Sequence, residues 1–238
     1  MAWFYKVLKN WEAYYYTEPF ELICIVIALF AGFVFAKREI VSTIFLIYTF
    51  SGLASMLYII YMTQNSNYGL ARRNNNISMM NLIVSYIEMF AFMFFFYNTL
   101  LVKTIKIFIK LSFITFTLIN LAFLLKALFF EVSADHIRKT SYTIVAFQLL
   151  PLLFLCFTYY YQILNLKSKE DLFTRPSFWI TTALFFYILL LIPFILIYEE
   201  IISHKSLTEI FFSIHYFSFG IIFIALTYAF LCKKTITT

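Results

Sequence analysis

Long apolar runs separated by short polar breaks dominate the chain. Seven such runs fall at about residues 19 to 36, 40 to 63, 77 to 102, 104 to 130, 141 to 166, 176 to 202 and 207 to 232. Each is near the roughly 20 residues that cross a hydrocarbon core of about 30 Å at a rise of about 1.5 Å per residue. Lipid offers backbone groups no partners, so a spanning segment is either a helix or a strand of a closed barrel. The runs are continuous and do not alternate, which excludes the barrel pattern. The expected fold is therefore all-α: a polytopic membrane protein with one domain, residues 1 to 238, built as a seven-transmembrane-helix bundle. Composition agrees, because 63% hydrophobic and 13% charged residues exceed what a water-soluble domain of 238 residues could hide in one core.

The first residues, MAWFYKVLKNWEAYYYTEP, are interrupted by charges and lack a small-residue cleavage site, so no cleavable signal is expected. Trp3, Phe4, Val7, Leu8, Trp11 and Tyr15 fall on one helical face, with Lys6, Lys9, Asn10 and Glu12 on the other. Residues 1 to 17 thus read as an interfacial amphipathic segment, with a lid over the bundle mouth as the alternative. Cys24, Cys156 and Cys232 all lie in apolar spans; they read as small fillers, with neither a disulfide framework nor metal-ligand spacing.

Charge bears on orientation. Seven spans put the chain's two ends on opposite sides. The side holding Lys37, Arg38, Lys103, Lys106, Lys110 and the C-terminal Lys233 and Lys234 carries the excess of cations. The positive-inside rule makes that side cytoplasmic and the N-terminus external. The net charge of +6 is spread over short loops and not gathered into a stripe, so no nucleic-acid partner is expected. The longest loop is QNSNYGLARRNNN after span two, so consecutive helices are expected to pack as antiparallel neighbours with no soluble domain between them. Glycines and prolines number four each, with Pro151 and Pro193 as single kinks in spans five and six. No internal repeat relates two halves, which weakens a broken-helix transporter.

Chemistry concentrates in span three. Asn81, Ser85 and Glu88 share one helical face, with Ser78 one turn earlier. Glu88 lies about 11 residues into its span, roughly 16 Å deep, and stands out as the acid deep within a span. An ionised carboxylate there costs about 2.5 to 3.5 kcal/mol, and such residues face a bundle interior or a water-filled cavity. His215 and Asn120 come out at similar depth and Gln148 a little shallower. Glu88, Asn81, Ser85, Asn120, Gln148 and His215 are therefore the candidate ligand-binding residues. Two readings compete: a protonated Glu88 hydrogen-bonded to Asn120 or Gln148 as interhelical glue, or a polar pocket receiving a ligand, ion or proton. Ser51, Gly52 and Ser55 of span two read as small residues for close helix approach, and Lys126 as a snorkelling cation.

Catalytic sets are missing. His136 and His204 lie near the outer loops, away from His215, so no metal site is expected; there is no G-x-S-x-G turn, and span seven has no lysine at mid-depth to hold retinal. No cofactor is implied.

One stretch is distinctive: YYYQILNLKSKEDLFTRPSFWITTALFFY, residues 159 to 187, in which Pro176 opens a helix and Trp179 falls at headgroup level. With the N-x6-E of Asn81 to Glu88 and the I-H-Y of Ile214 to Tyr216, it resembles a group of uncharacterised seven-helix inner-membrane proteins of Bacteroidota. That resemblance implies a bacterial plasma membrane location and leans towards signalling, some members being encoded near two-component sensors; it identifies no catalytic residue. The expected function is a receptor-like sensor that binds a small molecule or lipid in an outward-facing pocket and signals to a membrane or cytoplasmic partner. The alternatives are an ion channel or proton-coupled transporter using Glu88, then a lipid-modifying enzyme or a structural subunit.

Overall fold

The computed structural model describes residues 14–35, 39–64, 70–129, 134–165, 172–196, 205–232 and 236. Among them every long element is an α-helix: α1 Tyr14–Phe35, α2 Ile40–Gln64, α3 Leu70–Thr99, α4 Lys103–Phe129, α5 Ala134–Asn165, α6 Pro176–Leu196 and α7 Lys205–Leu231. A 3-10 turn, Leu172–Thr174, leads into α6. Helices α2 to α7 each hold an apolar stretch of 18 to 27 residues, long enough to cross a membrane; α1 holds a shorter one, Pro19–Phe35. The chain is a multi-pass membrane protein by that measure. Helices α5 and α6 run on through Pro151 and Pro193, and α6 starts on Pro176, where the missing N–H leaves no helical bond unmade.

Two element boundaries differ from the sequence reading. Helix α1 begins at Tyr14, so the last residues of the expected interfacial segment continue into the first span; residues 1 to 13 lie outside the described residues. The loop expected after span two is shortened because α3 already begins at Leu70. Extending a formed helix adds one hydrogen bond per residue without a new nucleus, which is why a run of asparagines stays helical here. The expected end of span six, beyond Leu196, and His204 also lie outside the described residues.

Packing turns six of the helices into a closed ring in the order α1, α2, α3, α5, α6, α7 and back to α1. The first and last helices share the most extensive contact in the bundle, and α3 packs more closely with α5 than with its sequence neighbour α4. Helix α4 packs against both of its sequence neighbours, α3 and α5, as expected of consecutive helices, but lies outside the ring. Its apolar stretch is 17% buried, against 39 to 50% for those of the other five long helices. A hydrogen bond between Tyr86 and Thr117 hydroxyls (2.9 Å) and the stacking of Tyr86 and Phe90 on Phe113 hold it there.

The seam between α1 and α7 closes on glycine. A Cβ at Gly220 would lie 2.5 Å from Cε1 and 2.9 Å from Cδ1 of Phe20, whose ring is stacked on Phe217 at 5.6 Å. A Cβ at Gly52 would meet Phe223 Cζ at 3.2 Å, a tighter contact than usual but short of a clash. Overpacking of this kind costs about 1 to 3 kcal/mol. Thermal unfolding in lipid nanodiscs should therefore show Gly220→Ala clearly less stable than wild type and Gly52→Ala closer to it; equal midpoints for wild type and Gly220→Ala would mean the seam is looser than described.

Candidate ligand-binding site

Most polar side chains of the spans satisfy themselves on the preceding helical turn. Thr49 donates to Phe45 O (2.7 Å), Thr99 to Phe95 O (2.8 Å), Ser141 to Ile137 O (2.7 Å) and Ser218 to Ile214 O (2.6 Å). Such local bonds let a hydroxyl sit in hydrocarbon without a tertiary partner. A few buried atoms are not served in this way: Glu88 Oε1, His215 Nδ1, the Tyr48 hydroxyl, Gln148 Nε2 and Asn120 Oδ1 have no hydrogen-bond partner among the described residues. Buried polar atoms without partners are uncommon, and each calls for a reason.

For Glu88 and His215 the reason is a cavity of about 130 Å³. All six ring helices wall it: Glu21 from α1, Gly52 and Ser55 from α2, Asn81, Ser85 and Glu88 from α3, Tyr142 from α5, Tyr187 and Leu191 from α6, and Phe211, His215 and Phe219 from α7. No described side chain of α4 lines it. These positions fall near the start of α1, α3, α5 and α7 and towards the end of α2 and α6. The cavity therefore occupies the half of the bundle at which α1 begins. The other half is packed with aromatic rings. Tyr48 stacks on Phe223 (5.7 Å), Phe92 meets Phe45 and Tyr48 edge-on (5.5 and 5.7 Å), and all four side chains are fully buried. This layer begins one turn beyond Glu88 along α3 and about two turns beyond His215 along α7.

Of the six sequence candidates, the structure brings Asn81, Ser85, Glu88 and His215 together around the cavity and leaves Asn120 and Gln148 out of its lining. Glu88 is 5% exposed and so faces neither lipid nor a fully paired core. No hydrogen bond links it to Asn120 or Gln148. Asn120 Nδ2 donates to Phe116 O on its own helix (2.7 Å), and Gln148 Oε1 accepts from Ser85 Oγ (3.1 Å), which ties α3 to α5 beside the cavity. Within α2 the small residues divide: Ser51 donates to Tyr48 O (2.7 Å), whereas Gly52 and Ser55 open space at the cavity wall. Cys24, Cys156 and Cys232 are free thiols.

Sequence reasoning missed a second buried acid. Glu21 is as buried as Glu88, at 5% exposure, and lines the same cavity. Its signal was present in the chain: Glu21, Cys24, Ile25 and Ala28 recur at helical spacing, and all four are buried. Position near the end of an apolar run disguised it as a boundary residue. The aromatic shell was missed too. Tyr187, Phe211, Tyr216 and Phe219 surround the His215 ring at centroid distances of 5.4 to 6.3 Å.

Comparison with protein-family models, curated proteins and solved structures finds no match. The site is a small, partly open cavity lined, among the described residues, by two acids, one imidazole and a wall of rings, with no group of three or more metal-ligating side chains among them.

Two buried tyrosines test the distinction between paired and open polar atoms. Tyr159 donates to Ser177 Oγ at 2.8 Å in the opposite half of the bundle, while the Tyr48 hydroxyl has no partner. A net hydrogen bond is worth about 0.5 to 1.5 kcal/mol. Tyr159→Phe should lose about that much stability and Tyr48→Phe almost none, read as thermal midpoints in the same bilayer. A larger loss for Tyr48→Phe would reveal a partner for its hydroxyl.

Proposed function

We propose that the chain is a seven-helix receptor-like membrane protein that holds a small molecule in the cavity around Glu88 and signals its occupancy to a partner. The observation that carries this is one side chain: Glu88 is almost wholly buried, yet its Oε1 is unpaired beside a space of about 130 Å³. Maintaining an ionisable group in a membrane interior without a partner is costly, and such groups mark ligand, ion or proton sites. The volume supports one small molecule over a lipid, since an apolar cavity of about 150 Å³ accommodates benzene. The site's position supports a switch, because an occupant would touch all six ring helices at once, and packed helix interfaces shift between discrete arrangements.

Conduction by a channel is the less favoured reading, because the Tyr48, Phe92 and Phe223 layer fills the bundle directly beyond the cavity. The α1 end then faces outward and the C-terminus lies in the cytoplasm, in agreement with the excess of Lys and Arg on the C-terminal side. A bacterial inner membrane follows from the resemblance noted in the sequence. An N-terminal interfacial segment and α1 as a seventh span belong to the same reading.

Two measurements test it. Native mass spectrometry of gently purified protein should show a discrete added mass on wild type that is lost from Glu88→Gln, a near-isosteric change expected to leave the fold intact. Two folded proteins with equal, empty spectra would count against a held ligand. For topology, a C-terminal green fluorescent protein should fluoresce and a C-terminal alkaline phosphatase should be inactive; the reverse pattern would invert the bundle and put the cavity on the cytoplasmic side.

A further inference from the structure

Resting on the pocket reading above, we infer that the occupant is a small organic ammonium cation. Three features of the cavity converge on that chemistry. Among the described residues its lining carries two acidic side chains, Glu21 and Glu88, and neither Lys nor Arg. An anionic ligand would therefore meet the Glu88 carboxyl group with no Lys or Arg of the described lining beside it. Next, Glu88 is 95% removed from solvent, and its open Oε1 has no donor among the described residues. A purely apolar occupant would leave that atom unmatched, whereas a protonated amine brings an N–H and the opposite charge together.

The third feature is the ring wall. Tyr187, Phe211, Tyr216 and Phe219 line the cavity, with Tyr187 and Phe219 centroids 5.2 Å apart. The negative faces of aromatic rings attract ammonium groups within about 6 Å, and more strongly where water is excluded, which is how aromatic cages select methylated amines. His215 stands among these rings as the one basic side chain of the described lining, its Nδ1 without a partner among the described residues and so available to the polar part of a ligand. The volume of about 130 Å³ limits the cation to one ring or a short branched chain.

The test compares cations with alcohols of the same skeleton. Full-length protein in phosphatidylglycerol nanodiscs, a lipid without an ammonium group, is titrated by calorimetry with isobutylamine, benzylamine and choline. Isobutanol, benzyl alcohol and 3,3-dimethyl-1-butanol serve as the neutral counterparts, and isobutyrate as the anion. At least one cation should bind roughly tenfold or more tightly than its alcohol. Glu88→Gln should remove most of that preference, and Phe219→Leu should weaken the cation more than the alcohol. Alcohols or isobutyrate binding as tightly as the amines would overturn the ammonium assignment while leaving a small-molecule pocket in place. Folded wild-type protein that binds none of the probes would overturn the pocket reading as well. The wild-type cation-to-alcohol ratio decides the matter even if a variant fails to fold. Repeating the titration in phosphatidylethanolamine separates the two sources of such a cation: loss of amine binding there means that a lipid headgroup fills the site, and unchanged binding means a free amine does.

Discussion

The contact between α1 and α7 is the one on which the remaining architecture depends. Lipid tails are as apolar as leucine, so helices in a bilayer associate through close packing and small residues rather than through removal from water. Gly220 supplies that closeness by admitting the Phe20 ring to the surface of α7. The residue after Phe20 is Glu21, so the same fit that closes the ring delivers a carboxyl group to its interior. Without that closure, Glu21 and Glu88 would share a cleft open to lipid, where neither is tolerated.

Closure also divides the bundle into two unlike halves. Beyond Glu88 and His215 the interior is a stack of buried rings held by edge and face contacts. On the α1 side the interior keeps its polar atoms and a space among them. A packed base beneath an open pocket is what a small-molecule site needs, because the first layer of contacts is then held in place by the packing behind it.

Some of this could be read from one helix. Asn81, Ser85 and Glu88 share a face by spacing alone, and matching His215 to them required only counting residues from the end of each run. Asn120 passed the same depth test but belongs to α4, which lies outside the ring, and it satisfies its amide on its own helix. Gln148 reached the neighbourhood and became a tie between α3 and α5 instead of part of the wall. Depth is a one-dimensional quantity; adjacency around the bundle is not. Glu21 shows the converse error, since its place near the end of a run concealed a burial equal to that of Glu88.

What the chain determined by itself is the set of helices, because a long apolar run in a bilayer has no other way to satisfy its backbone. It also determined which residues are chemically expensive at that depth. What only the tertiary structure decided is the order of helices around the ring, the exclusion of α4 and the joining of Glu21, Glu88 and His215 around one cavity. The physical reason lies in the solvent. In water, a helix marks its inner face by being apolar there and polar elsewhere. In lipid both faces are apolar, so the inner face is set by the fit between helices and cannot be read from any one of them.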